Sequence, residues 1–166
     1  MFQLPFPVHD VNASSGSKDL GDLPEWDLSD LYSSQDAPEL SRDLQWLDQE
    51  CASFAADYEG KLAHLDAEEM LNCVLRNERI NTIAGRIMSF AGLRYYQLTV
   101  DGDRTKFMSD MQEKITDFTT PLVFFTLELN RIDDAALQAL LNANDALARY
   151  QPVFDRIRAM KPYQLS

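Results

Sequence analysis

Zinc and other transition metals need clustered ligands, and this chain of 166 residues holds only two histidines, His9 and His64. Neither sits in an HExxH pattern, in which two imidazoles one helical turn apart grip a zinc ion. His64 stands beside a helix start and reads as a surface residue, and His9, in the N-terminal leader, reads the same way. Carboxylates are plentiful, but Asp36, Asp66, Glu69, Asp101 and Asp133 all fall where helices should begin, and capping accounts for them. The pairs Glu68–Glu69 and Asp133–Asp134 are helix-start chemistry too, rather than an acid–base pair. The stretch "VDGD", Val100 to Asp103, lacks the later carboxylates and the closing glutamate of a calcium loop. Neither a GxSxG nucleophile turn nor a Gly-rich phosphate loop is present. The residues therefore predict no catalytic group and no metal ligand in this chain.

Two clusters have the chemistry of binding rather than of catalysis. Arg86, Arg94, Tyr95 and Tyr96 lie late in one predicted helix, and such groups bind a carboxylate or a peptide backbone. They are the candidate substrate-binding residues; the plainer alternative is an arginine face beside core aromatics. Arg149, Arg156, Arg158 and Lys161 make the C-terminal end basic, suited either to an acidic neighbour or to an ordinary solvated face. The two cysteines, Cys51 and Cys73, form no CxxC and fall on apolar helical faces, as small core residues in a reducing compartment do.

The elements that would position these groups are helical throughout. Residues 1–22, rich in Ser, Gly and Asp, predict an irregular N-terminal arm, followed by a helical domain over 23–166. "LPEWDLSDLYSS" should clip that arm to the body: Asp27 caps one helical turn, Leu28, Leu31 and Tyr32 share a face, and Trp26 adds a large buried ring. Leu40, Leu44, Leu47, Cys51, Phe54 and Tyr58 recur at alternating spacings of 4 and 3, which predicts a first long helix from Asp36–Pro38 to a stop at Gly60. A second helix starts at a capping box, Asp66 with Glu69, stapled by Leu65 and Met70. Its apolar positions run through Val74, Ile80, Ile83, Ile87, Phe90 or Ala91, Tyr95 and Leu98, about 45 Å in all. Gly85 and Gly92 inside it each cost about 1 kcal/mol relative to alanine, which suggests close approach of a neighbouring helix.

After the "VDGD" turn, Met108, Met111, Ile115, Phe118, Leu122, Phe125 and Leu129 mark a third helix, kinked at Pro121. Its second half, "PLVFFTLEL", is apolar on more faces than a small bundle can cover. A shorter helix capped by Asp133, a break at "NANDALARYQP" and a last short helix ending before Pro162 complete the chain. The fold class is all-α: a bundle dominated by three long helices, with helices two and three as an antiparallel hairpin.

Composition narrows the function. With 45% hydrophobic and 25% charged residues the chain should fold, and its net charge of -12 argues against nucleic acid and anionic membrane surfaces as partners. No apolar run approaches the ~20 residues of a membrane-spanning helix, and the first residues lack a signal peptide's basic start and apolar run. The expected location is the cytoplasm.

Three segments carry a resemblance. "LPEWDLSDLYSS" ahead of a long helix, "FFTLELNRIDDAAL", and "ARYQPVFDRIRAMKPYQLS" resemble, in order and with similar spacing, the N-terminal part of the oligoendopeptidase F family, zinc metallopeptidases related to thimet oligopeptidase. The resemblance implies a parent enzyme that hydrolyses short peptides. Its zinc would be held by an HExxH helix and a downstream glutamate, in a catalytic domain beyond this chain. Two helical lobes would enclose a channel, of which this region forms part of one wall; its partners would be that catalytic domain and short peptides. None of the zinc site maps onto these residues, so this chain alone is expected to be inactive. The alternative is a free-standing helical bundle that binds a partner protein through exposed faces.

Overall fold

A computed structural model describes residues 25–164. Among them are seven α-helices: α1 (Pro38–Tyr58), α2 (Ala67–Gln97), α3 (Gly102–Thr119), α4 (Val123–Arg131), α5 (Asp134–Ala143), α6 (Asp145–Ala148) and α7 (Gln151–Arg158), with no strand. The arm over 1–22, with His9, lies outside the described residues. No described helix is long and apolar enough to cross a membrane.

Helix boundaries follow local chemistry. Helix α1 opens with Pro38 in its first turn, where a missing N–H costs nothing. Ala37 precedes it without a side-chain cap, so Asp36 does not cap as expected; its own N–H instead donates to Ser34 Oγ at 3.2 Å. Gly60, at φ +78°, ends α1 in the left-handed conformation that glycine adopts without strain. Lys61 Nζ caps the exit by donating to the carbonyls of Ala56 and Asp57, at 3.1 and 2.8 Å. At α2, Asp66 Oδ1 accepts from the N–H groups of Glu68 and Glu69, and Glu69 Oε2 accepts from Asp66 N at 3.0 Å, a complete capping box. Asp101 and Asp133 cap α3 and α5, each accepting from two backbone N–H groups but without a reciprocal bond.

Pro121 does more than kink the predicted third helix. It lacks an N–H, and its ring crowds the preceding turn. The rod divides there into α3 and α4, joined by a 3₁₀ turn over Thr120–Leu122. The hydroxyls of Thr116, Thr119 and Thr120 approach the carbonyls one turn back, at 2.7 Å each. The long rods are therefore α1 and α2, with 21 and 31 residues, and two shorter pieces replace the expected third. The "NANDALARYQP" break likewise contains α6, capped by Asn144.

The core is one cluster. Leu40, Leu47, Cys51 and Phe54 of α1 meet Met70, Cys73, Ile80, Ile87 and Phe90 of α2, and Leu129, Leu147 and Phe154 close the far side. The apolar second half of the predicted third helix is covered from within: Phe124 and Phe125 are buried, with ring centroids 5.9 and 5.8 Å from Phe54. Of its large side chains Val123 remains open, at 60% exposure. The connection from α2 to α3 spans Leu98–Asp101, and the contacts across it pair Phe90 with Phe107 and Arg94 with Arg104.

Two further expectations change. Trp26 is not buried but 68% exposed; Tyr32 is the residue that enters the core, at 3%, with Leu28 and Leu31 packed beside it. The clip is a tight turn, in which the N–H groups of Leu31 and Tyr32 donate to Leu28 O, and there the phenol is the group long enough to reach α2. Gly85 and Gly92 do not mark a close approach either, since a Cβ at either position would meet nothing within 4 Å.

Candidate functional site

Helix α2 presents a row of arginines to α1. Arg76 donates to Glu50 Oε1 and Asp57 Oδ2, each at 2.7 Å, while its guanidinium lies 5.6 Å from the Phe54 ring centre and 5.4 Å from that of Tyr58. Burial acts to lower its pKa, but the hydrogen bonds it donates to Glu50 and Asp57 outweigh that and raise the value. Arg79 stacks over Trp46 at 4.7 Å. Arg86 stacks over Tyr32 at 4.7 Å, donates to its hydroxyl at 2.9 Å and pairs with Asp43. Tyr32 in turn donates to Asp43 Oδ2 at 2.6 Å, and burial, then Asp43, pushes its phenol up to about 12. These contacts fasten α1 to α2; they also commit Arg86.

The four candidate binding residues do not converge. Arg86 points into the Tyr32–Asp43 pair. Arg94, two turns further, lines a cleft of about 180 Å³ with Trp26, Ser29, Ser33 and Gln97, and Tyr32 stands between that cleft and Arg86. Tyr95 is half-buried and Tyr96 is 72% exposed, their rings 5.2 Å apart. Helical geometry is the reason: residues 86 and 94 lie eight apart, about 12 Å along the axis.

The basic C-terminal cluster also divides. Arg158 is a structural latch: it donates to the carbonyls of Leu129 and Ile132, at 2.7 Å each, and pairs with Asp134. Lys161 adds a 3.9 Å contact to Asp134, whose carboxyl is held low chiefly by the Arg158 hydrogen bond. Arg149 and Arg156 face solvent. The sequence reading missed Glu128. Its two carboxylate oxygens accept from Gly60 N at 2.6 Å and Leu62 N at 3.3 Å, tying the α1–α2 connection to α4. No local pattern could reveal it, because the partners are 66 and 68 positions apart.

Among the described residues no group of three His, Cys, Asp or Glu side chains is placed to hold a metal ion, and His64 is exposed. The zinc implied by the resemblance finds no donor set here. Cys51 and Cys73 are buried free thiols, and desolvation pushes them up to about 11 and about 12, far from a reactive thiolate. Two further clefts are open. One of about 460 Å³ lies between the start of α1 and α3, with Lys106 and Lys114 among several aspartates. The other, about 190 Å³ and mostly apolar, lies between α2, α4 and α7.

No curated protein and no solved structure matches the chain. A family model does: the one described as Oligopeptidase F matches residues 128–166. That stretch begins at the glutamate that ties the α1–α2 connection and includes the Arg158 latch. Over residues 128–166 the chain thus carries the pattern of the N-terminal region of the oligopeptidase F family.

Proposed function

We propose that this chain is the N-terminal helical domain of a zinc-dependent oligoendopeptidase that hydrolyses short peptides, and that it forms part of the wall of the substrate channel. The family match over residues 128–166 carries this reading. The all-helical bundle agrees with it. In this reading the zinc belongs to the catalytic domain, and this chain's residues shape and position rather than react. The helix-two residues are its contribution to peptide binding. Arg94 and Tyr96 have side chains open to a ligand, Tyr95 stands between them, and Arg86 holds the wall by joining α2 to Asp43 and Tyr32. The partners are the catalytic domain of the same polypeptide and short peptides, and the setting is the cytoplasm.

The test compares two preparations on one quenched-fluorescence peptide of about ten residues. Zinc-loaded parent enzyme should cleave it and lose that activity to a chelator. The 166-residue chain with added zinc should show no turnover. Chelator-sensitive cleavage by the short chain, or a reading frame that lacks HExxH downstream, would overturn the proposal.

A further inference from the structure

Four arginines among the described residues are half-buried: Arg76, Arg94, Arg104 and Arg158. Three have a carboxylate within 4 Å: Arg76 with Glu50 and Asp57, Arg104 with Asp101, and Arg158 with Asp134. Arg94 has none among the described residues, and its buried Nε finds no hydrogen-bond partner. A guanidinium stays charged at any physiological pH, so one without a carboxylate partner remains free to pair with an anionic ligand. The Arg94 side chain lines the cleft of about 180 Å³ between the N-terminal turn and α2, together with Asp27, Ser29, Ser33, Phe90 and the exposed indole of Trp26.

The cleft's other polar groups are already engaged. Gln97 donates to Trp26 O and accepts from Arg104. Tyr32 donates to Asp43. Asp27, the one carboxylate in the lining, accepts from Ser29 N at 2.9 Å. Asp101, nearby, is occupied in capping α3. Beside the Asp27 carboxylate, which also holds Ser29, the lining offers the Arg94 guanidinium, the Ser33 hydroxyl and an aromatic surface, in a chain with 27 acidic and 15 basic residues.

We infer that this cleft binds a carboxylate carried beside an apolar or aromatic group, with Arg94 as the anchoring residue, Ser33 as a second donor and Trp26 as the apolar shelf. A planar guanidinium matches a carboxylate in two parallel bonds, which an isolated lysine does not offer. That the carboxylate is the C terminus of a short peptide rests on the oligopeptidase reading; the site itself rests on the unpaired Arg94 alone.

The experiment is a two-dimensional NMR titration of the nitrogen-15-labelled chain with N-acetylphenylalanine and, separately, with its neutral amide. The acid should give saturable shifts at the Ser29 and Ser33 amides and the Trp26 indole, and the amide analogue should not. Arg94→Gln should weaken binding of the acid by roughly tenfold or more, the loss expected for one charge-assisted pair. No saturable shift at the cleft, equal shifts from acid and amide, or unchanged binding in a folded Arg94→Gln protein would each overturn the site. Should that variant fail to fold, the acid–amide comparison on the unaltered chain decides alone. Failure here leaves the parent's peptidase activity untouched, since that stands or falls on the chelator test.

Discussion

Replacing Gly85 and Gly92 by alanine should make this protein more stable, against the usual direction of a substitution inside a helix. Both lie within α2, where glycine costs about 1 kcal/mol relative to alanine through backbone entropy. A new methyl group at either site enters open space, with nothing within 4 Å, so no steric penalty subtracts from the gain. The positions are seven residues apart, about 10 Å along the axis, far enough for the effects to add. The double variant should therefore gain up to about 2 kcal/mol, or roughly 4–8 °C in Tm for a domain of this size. Circular dichroism at 222 nm during heating, with urea titration as a second measure, reads the change. A melting point that stays put or falls would refute the open face and return the two glycines to a packing role. The same pair tests for a neighbour: if the longer polypeptide packs against this face, stabilisation seen in the isolated chain will vanish or reverse in the parent.

Trp26→Ala should change stability by no more than about 0.5 kcal/mol, because the ring is mostly exposed, whereas Tyr32→Phe should cost about 1–3 kcal/mol by leaving Asp43 and Arg86 without their shared hydroxyl; urea midpoints of both variants check the order. Glu128→Gln should cost about 1–2 kcal/mol and open residues 60–65 to proteolysis, since a neutral amide replaces the carboxylate on two N–H groups. Cys51, Cys73 and Tyr32 all have raised pKa values in the folded state, with burial the first cause. Their contribution to stability is whole below the unfolded-state values, ~8.5 for the thiols and ~10 for the phenol, and is lost as pH rises through the folded values. Alkaline urea midpoints should fall accordingly, and a thiol reagent should label neither cysteine until the protein unfolds. Asp57 and Asp134 are shifted down, chiefly by hydrogen bonds from Arg76 and Arg158, so their contribution is present above ordinary carboxylate pKa values and is lost in acid; Asp134→Asn should flatten the acid limb of the stability curve.

Some of this was legible in the residue order. The Asp66–Glu69 box, the Asp101 and Asp133 caps and the Gly60 stop all depend on partners within a few residues, and each formed as expected. The apolar stripes of α1 and α2 placed the part of the core that these two helices share, because a helix repeats its facing positions every three or four residues. Pro121 was read as a kink and is a break, since the pattern on either side stays in phase and does not reveal how far the rod turns.

The amino-acid order by itself determined an all-helical protein, where most of its helices start and stop, and which faces are apolar, because those properties rest on local hydrogen bonds and periodicity. Tertiary packing alone decided that Arg86 is committed while Arg94 is left over, that Tyr32 rather than Trp26 enters the core, and that Glu128 holds a turn nearly seventy residues away. A side chain's role there depends on which charge or ring lies opposite it, and that distance is set by how the helices cross, not by their spacing along the chain.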